Sequence, residues 1–240
     1  MGKVYCSSDW HGHYDLGKKA LDLLTADDKL YFLGDAMDRG PDGVKVLELL
    51  LNDPRVTFIM GNHEEFFTKY MPLLLEDDYE THLADLWTVY NGGMKTWESA
   101  LKYPKEQILE WTDKLRHLPK YLTYENKNGQ TIHLSHAGFT PDSYNSRWGV
   151  DYLWDRDHIH NRWQYFDDCP HENDYIVHGH TPVQYLYHYR ANGDLSTINK
   201  DKPDIFRYCE GHKFDIDLGT IESKRIGLLD LDTFESIYVE

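Results

Sequence analysis

The tightest constraint on how this chain can fold lies in its first 64 residues, where short β-rich runs alternate with helix-periodic stretches. Lys3 to Ser8, Leu30 to Leu33 and Val56 to Met60 are apolar runs of strand length. Between them, Tyr14 to Leu24 carries apolar residues at helical spacing. Pro41 to Leu51 reads as a helix with Pro41 in its first turn, where the missing N–H would have had no helical partner. A βαβαβ order predicts a parallel sheet. Parallel strands bring their carboxyl ends to one edge, where open α/β sheets bind ligands.

The three strand ends are polar in one manner. The first ends Asp9-Trp10-His11, the second Gly34-Asp35-Ala36-Met37-Asp38-Arg39-Gly40, the third Gly61-Asn62-His63-Glu64. In an extended chain, residues i and i+2 point the same way, so Asp9 and His11 are expected to share one face and one ion while Trp10 faces away. A carboxylate with an imidazole suits Mn, Fe or Zn. Asp35 has two oxygens and could bridge two ions, and Asn62 offers an amide oxygen. Two later segments add imidazoles: Ser135-His136-Ala137-Gly138 after the run from Thr131, and His178-Gly179-His180-Thr181-Pro182 after Tyr175–Val177. Singly, each has an ordinary reading. Asp-x-His at a strand end is usually a turn, and Gly-Asn-His-Glu can be a helix start capped by Asn62. All five in this order, each after a strand, point to a two-metal hydrolytic site.

Glu65 to about Leu118 is mostly helical in pattern, rich in Trp and Tyr and broken by Gly92-Gly93, as expected of a helical insertion on the α/β core. Its Trp-rich stretch Leu86–Trp111 reads as helix packing, with Trp87, Tyr90 or Trp97 as alternatives for a substrate wall. Tyr121–Glu125 and Thr131–Ser135 flank Asn128-Gly129, a two-residue hairpin signal. Tyr175–Val177, Lys213–Asp217, Lys224–Leu231 and Ser236–Val239 are further strand candidates and predict a second, more antiparallel sheet. Residues 140–172 and 184–210 read as loops with short elements.

Composition bounds the function. A chain of 240 residues with 40% hydrophobic and 28% charged content suits one domain with a normal core. No apolar run approaches the ~20 residues that span a bilayer, and no N-terminal stretch has a signal-peptide layout. A net charge of −16 argues against gripping nucleic acid phosphates. The three cysteines are widely spaced and lack a C-x-x-C pair, so neither a disulfide framework nor a zinc knuckle is expected, and a reducing cytoplasm fits.

The segments "SDWHGH", "GDAMDRG", "GNHEEF", "SHAG", "GHTP" and "DIDLG", with "NGGMKTWES" and "LWDRD", resemble the calcineurin-like metallophosphoesterase superfamily, within it the bacterial and phage branch of the phosphoprotein phosphatases. The resemblance runs over nearly the whole chain and implies a four-layer αββα fold. Two mixed β-sheets would pack as a central sandwich flanked by helices, in one domain over 1–240 with the insertion at about 65–118. It implies two divalent ions, Mn before Fe, Zn or Co. Asp9, His11 and Asp35 would hold the first, and Asp35, Asn62, His136 and His180 the second, so that Asp35 bridges. His63 would be the catalytic imidazole and Asp38 its carboxylate partner, with Arg39, Arg156 and Asn62 on the substrate phosphate; an arginine fork matches two phosphate oxygens. The implied activity is a protein phosphatase acting on phosphoserine and phosphothreonine through direct attack of a hydroxide bridging the metals. A dinucleoside polyphosphate hydrolase is the alternative, and a non-catalytic phosphate-binding module the third reading. The expected partner is a phosphoprotein or small phosphoester, with neither a nucleic acid polymer nor a membrane. Met60 departs from the Arg that many relatives carry before Gly-Asn-His. Among the remaining polar residues, Glu64 is expected to begin a helix, His178 to orient its neighbours and Asp217 to support the site from beneath. His158 and His160 are expected to be solvated, and His13, past Gly12, to stand outside the ligand set.

Overall fold

A computed structural model describes residues 2–76, 81–139, 151–159 and 173–240. The expected βαβαβ unit is present: β1 (Val4–Ser7), α1 (Tyr14–Asp22), β2 (Lys29–Phe32), α2 (Gly43–Asn52) and β3 (Val56–Phe58). The three strands are parallel. Pro41 lies in the turn ahead of α2 rather than in its first turn, and Asp42 is the N-cap residue. α3 (Asn62–Leu74) follows β3, and α4 (Asp85–Thr88), α5 (Met94–Ala100) and α6 (Lys105–Arg116) complete the helical insertion. Then come β4 (Tyr121–Glu125), β5 (Thr131–Ser135), β6 (Asp174–His178), the short α7 (Leu186–Tyr189), β7 (Phe206–Tyr208), β8 (Lys213–Asp215), α8 (Thr220–Ser223), β9 (Ile226–Asp230) and β10 (Ser236–Val239).

The strands form two five-stranded sheets, ordered β10-β9-β1-β2-β3 and β4-β5-β6-β8-β7. Both are mixed. The first joins parallel β1, β2 and β3 to antiparallel β9 and β10. The second has parallel β5, β6 and β8 between antiparallel edges β4 and β7. The expectation of a C-terminal, more antiparallel sheet is therefore corrected. The strands from Lys224 onward return to the first sheet, and the second is as parallel as the first. Period-2 alternation locates the layers. Along β1 and β2, Tyr5, Leu30 and Phe32 face a cluster shared with α1, α2, α3 and α6, whereas Cys6 and Leu33 face one shared with Ile132, Leu134, Val177 and Phe214 of the second sheet. β9 alternates likewise, Leu228 outward and Leu229 inward. The sheets thus pack face to face with helices outside the first, and Val183, Leu186 and Phe206 gather in a third cluster. Burying each such side chain contributes roughly 1.5–3 kcal/mol.

The β4–β5 hairpin forms where expected, but over a longer turn. Asn126 Oδ1 accepts the Asn128 and Gln130 N–H groups (both 3.0 Å), and Gly129 has φ +72°. Cys6 is a buried free thiol, whereas Cys209 is disulfide-bonded, which corrects the expectation drawn from cysteine spacing. A missing C-x-x-C pair excludes only local bridges. His160, Cys169 and most of 140–172 lie outside the described residues. Among the described residues no helix is long and apolar enough to cross a membrane.

Candidate active site

The loops leaving β1 and β2 continue side by side past the strands. Asp9 N–H donates to Gly34 O (3.0 Å), His11 N–H to Asp35 O (3.0 Å) and Gly12 N–H to Ala36 O (2.8 Å). β1 itself ends at Ser7, and Asp9 and His11 have φ of 55° and 41°. They do not share an extended strand face, as alternation had suggested; a left-handed turn brings them together. Asp35 (59°), Asp38 (67°), Arg39 (62°) and His180 (68°) are left-handed as well. Non-glycine residues in this region are uncommon, and such strain gathers where the surroundings enforce a site. Gly179 lets the β6 loop press in: a Cβ there would sit 2.1 Å from Asp9 Oδ2, the atom that accepts the His180 N–H at 3.1 Å.

All six expected ligands converge, each buried. His136 Nδ1 lies 2.7 Å from Leu33 O, so that nitrogen carries the proton and Nε2 is a bare acceptor. Nε2 faces Asn62 Oδ1 at 2.8 Å, His180 Nδ1 at 3.2 Å and Asp35 Oδ1 at 3.4 Å. His11 is arranged alike, with Nδ1 on Met37 O (3.0 Å) and Nε2 3.7 Å from Asp35 Oδ2 and 3.9 Å from Asp9 Oδ1. A guanidinium N–H of Arg39 reaches this Nε2 at 2.7 Å. Ligand atoms of His11, Asp35 and His63 lie within 4.8 Å of one another, as do those of Asp35, His136 and His180. Asp35 belongs to both groups.

His63 and Asp38 form the expected pair. His63 Nδ1 is 2.7 Å from Asp38 Oδ2, and its Nε2, 3.7 Å from Asp35 Oδ2, has no hydrogen-bond partner among the described residues. Both side chains are fully buried. Glu64 does more than begin α3. Its carboxylate accepts the N–H groups of Gly61 (2.9 Å), Asp35 (2.8 Å) and Ala36 (2.9 Å), tying two ligand loops to one helix terminus. Asn62 is the first residue of that helix, with Gly61 as N-cap.

Burial dominates the electrostatics. It pushes the carboxyls of Asp9 and Asp35 well up, with Asp217 and Asp35 adding repulsion at Asp9 and Glu64 at Asp35. It raises Asp38 and Glu64 to about 7, in Glu64 against three N–H bonds that favour the ionised form. It holds the imidazoles of His11, His63 and His180 well down and lowers His136 to about 3.

The site opens into a cleft of about 430 Å³ whose lining includes His11, Arg39, Arg156, His180, Tyr185, His188, Tyr189, Asp217 and Glu222. Arg156 Nε donates to Thr181 Oγ1 at 3.0 Å. Asp217 lies in the lining rather than beneath it; burial raises it to about 6. His178 turns away to Tyr208 Oη (2.7 Å). His13 contacts Trp10 O and Lys224 outside the ligand groups. His158, expected to be solvated, is buried, with Nε2 2.6 Å from Ala137 O. Trp87 is neither a substrate wall nor plain packing: its indole N–H donates to Asp38 Oδ2 at 2.7 Å. The Gly92-Gly93 pair nearby was the available signal. Tyr90 is largely exposed, and Trp97 packs on the helical cluster.

The family model of calcineurin-like phosphoesterases matches residues 2–213. Serine/threonine-protein phosphatase 2 of Escherichia coli is 29% identical over 145 residues, 59% of this chain and 61% of that protein. The symmetrical bis(5'-nucleosyl)-tetraphosphatase of Coxiella burnetii is 31% identical over 143 residues, 58% of this chain and 42% of that protein. The chain therefore spans about three fifths and two fifths of these two relatives. A metallophosphoesterase structure from Sphaerobacter thermophilus aligns with a TM-score of 0.57 at 14% identity, over 99% of this chain and 87% of that one, which shows a shared fold.

Proposed function

We propose a function for a chain that belongs to the calcineurin-like phosphoesterase family: hydrolysis of phosphate monoesters on phosphoserine and phosphothreonine, with two divalent ions, Mn before Fe, Zn or Co. One observation carries the hydrolytic reading. Buried side-chain atoms of Asp35, Asn62, His136 and His180 crowd together with the His63 backbone N–H on Asp35 Oδ1 (3.1 Å), directly beside the His63–Asp38 pair. Bare nitrogens and carboxylates at such separations repel unless a cation joins them. The Asp9 Oδ1 atom, unpartnered among the described residues, fits that need, and the Arg39 N–H on His11 Nε2 is a stand-in cation. Asp9, His11 and Asp35 would hold one ion; Asp35, Asn62, His136 and His180 the other. His63 shares the first grouping but has its other nitrogen committed to Asp38, so we assign it to proton transfer.

Two bound ions supply Lewis acidity and acidify a water enough to react near neutral pH. The chain supplies the rest. Arg39 and Arg156 bind the phosphoryl oxygens, helped by the Asn62 amide. His63 would give a proton from Nε2 to the leaving oxygen, its ring oriented through Nδ1 by Asp38, whose raised carboxyl leaves the pair a proton to give. The cleft lining sets two arginines against Asp217 and Glu222, cation enough for one phosphoryl group and meagre for a polyphosphate chain. The second reading, a dinucleoside polyphosphate hydrolase, draws on Tyr185, His188 and Tyr189 in the same lining, which offer rings for base stacking, and on the tetraphosphatase relative.

Mn-loaded protein given phosphopeptides and a dinucleoside tetraphosphate in parallel tests the substrate class. The expected result is a higher kcat/KM on the phosphopeptides. A large preference for the dinucleotide replaces the first reading by the second. No turnover of either, with Mn, Fe or Zn supplied, leaves a phosphate-binding module.

A further inference from the structure

The helical insertion meets Asp38 and its neighbour Arg39 at three points. Trp87, fully buried in α4, donates its indole N–H to Asp38 Oδ2 at 2.7 Å, the same oxygen that His63 Nδ1 meets at 2.7 Å. Asp38 N–H donates to Oγ1 of the buried Thr96 in α5 at 3.0 Å. Arg39 N–H donates to Gly92 O at 2.9 Å. Asp38 and Arg39 are the adjacent left-handed residues at φ 67° and 62°. The Gly92-Gly93 break follows from this contact. A Cβ on Gly93 would lie 2.2 Å from Trp87 Nε1, so only glycine leaves the indole room to reach Asp38.

We propose that Trp87 and Thr96 are positioning residues for the reaction, holding Asp38 so that it aims His63 at the leaving group. The inference rests on His63 acting as the proton donor, as argued above. Among the described residues Asp38 Oδ1 has no hydrogen-bond partner, and the bonds from His63 and Trp87 both fall on Oδ2. With His63 as its sole contact, that oxygen would let the carboxylate turn about its own bond, and the imidazole would turn with it. A rigid aromatic donor from a second direction removes that freedom. Thr96 fixes the backbone at the same residue. Catalytic groups need holding to within about 0.5 Å and 10–20°, which a strained turn does not achieve unaided.

The leaving group reports this directly. p-Nitrophenolate departs with little need for a proton, whereas phenolate needs one, so loss of general acid aim falls on phenyl phosphate and spares p-nitrophenyl phosphate. With Mn-loaded full-length protein, Trp87→Phe should lower kcat on phenyl phosphate about ten- to hundredfold. It should change kcat on p-nitrophenyl phosphate little and leave KM and metal content unaltered. Thr96→Val should show the same selectivity, more weakly, and decides the matter alone if Trp87→Phe does not fold. Trp97→Phe is the packing control, since that indole nitrogen has no hydrogen-bond partner among the described residues, and should leave the ratio of the two substrates unchanged. Equal losses on both substrates in Trp87→Phe and Thr96→Val, or none on either, overturn the proposal. His63→Asn separates the premises. If it is selective while the other two are not, the clamp fails and the acid role stands; if it lowers both substrates equally, the acid role fails and takes the clamp with it.

Discussion

Two grooves on this molecule make an instructive pair. The larger, about 800 Å³, runs along α1 and α2 to the α2–β3 connection and is lined by Tyr14, Lys45, Glu48 and Arg55 among others. Its charges are already matched. Lys45 lies 2.6 Å from Asp42, Arg55 grips both oxygens of Asp53 (2.6 and 3.0 Å), and Tyr103 donates to Glu48 (3.0 Å). The smaller, about 430 Å³, holds the converging loops, with buried acceptors facing acceptors, carboxyls pushed up and imidazoles held down. Cavity size therefore does not locate the chemistry. Unmet buried charge and enforced backbone do, because a folded chain bears that cost only where something else is to be bound.

The difference between the grooves can be broken from either side. The largest effect is expected at Asp35, shared by both acceptor groups. Asp35→Asn should lose both ions and lower kcat/KM by more than about 10⁴; two ions retained at full occupancy, measured by elemental analysis, would remove its bridging role. His63→Asn should lower kcat about 10²- to 10⁴-fold with metal content unchanged. A fall in metal content instead would make His63 a ligand, as its place beside His11 and Asp35 allows.

A third test uses pH. Asp38 and Glu64, raised by burial to about 7, and Asp9 and Asp35, raised well above their ordinary values, hold protons in the folded state that the unfolded chain has released. The unfolded state then binds fewer protons, so stability falls as pH rises through this range. The imidazoles held below 6.5 oppose this, but only below that pH, where unfolded histidine is still charged. The Tm of metal-free protein should therefore fall between about pH 6.5 and 8, and Mn should flatten the slope. A rise over that window without metal would mean that the carboxylates are already ionised. The smallest effect belongs to the larger groove. Arg55 holds the Asp53 carboxyl below its ordinary value, so this pair stabilises above pH 3.8 and is lost as pH falls further. Asp53→Asn should cost under about 1 kcal/mol at neutral pH and leave activity unchanged; a loss of activity would show that the two grooves communicate.

The site was legible because its residues come in short local strings. Asp9-Trp10-His11, Gly34-Asp35 and Gly61-Asn62-His63 each announce themselves beside a strand, and parallel strands bring them to one edge whatever the details of packing. The reason given for Asp9 and His11 was nonetheless incorrect, since positive φ brings them together past the end of β1. Backbone strain is invisible to period-2 counting. β9 and β10 read clearly as strands, but their sheet did not, since an alternating strand suits either face until its neighbour is known. His158 looked polar and solvated because its acceptor, Ala137 O, lies 21 residues away.

By itself, the amino-acid order determined the parallel βαβαβ unit and the strings that carry the acceptor residues, because apolar period and strand direction are local properties of the chain; the His63–Asp38 pair was implied by the family resemblance. Only the tertiary structure decided that Asp38 is held from the insertion by Trp87 and Thr96, and that Glu64 ties together the loops carrying Asp35 and Asn62. The contacts to Asp38 and to Asp35 join residues 29 to 58 positions apart. A hydrogen bond depends on distance and angle in space, and no local pattern encodes either.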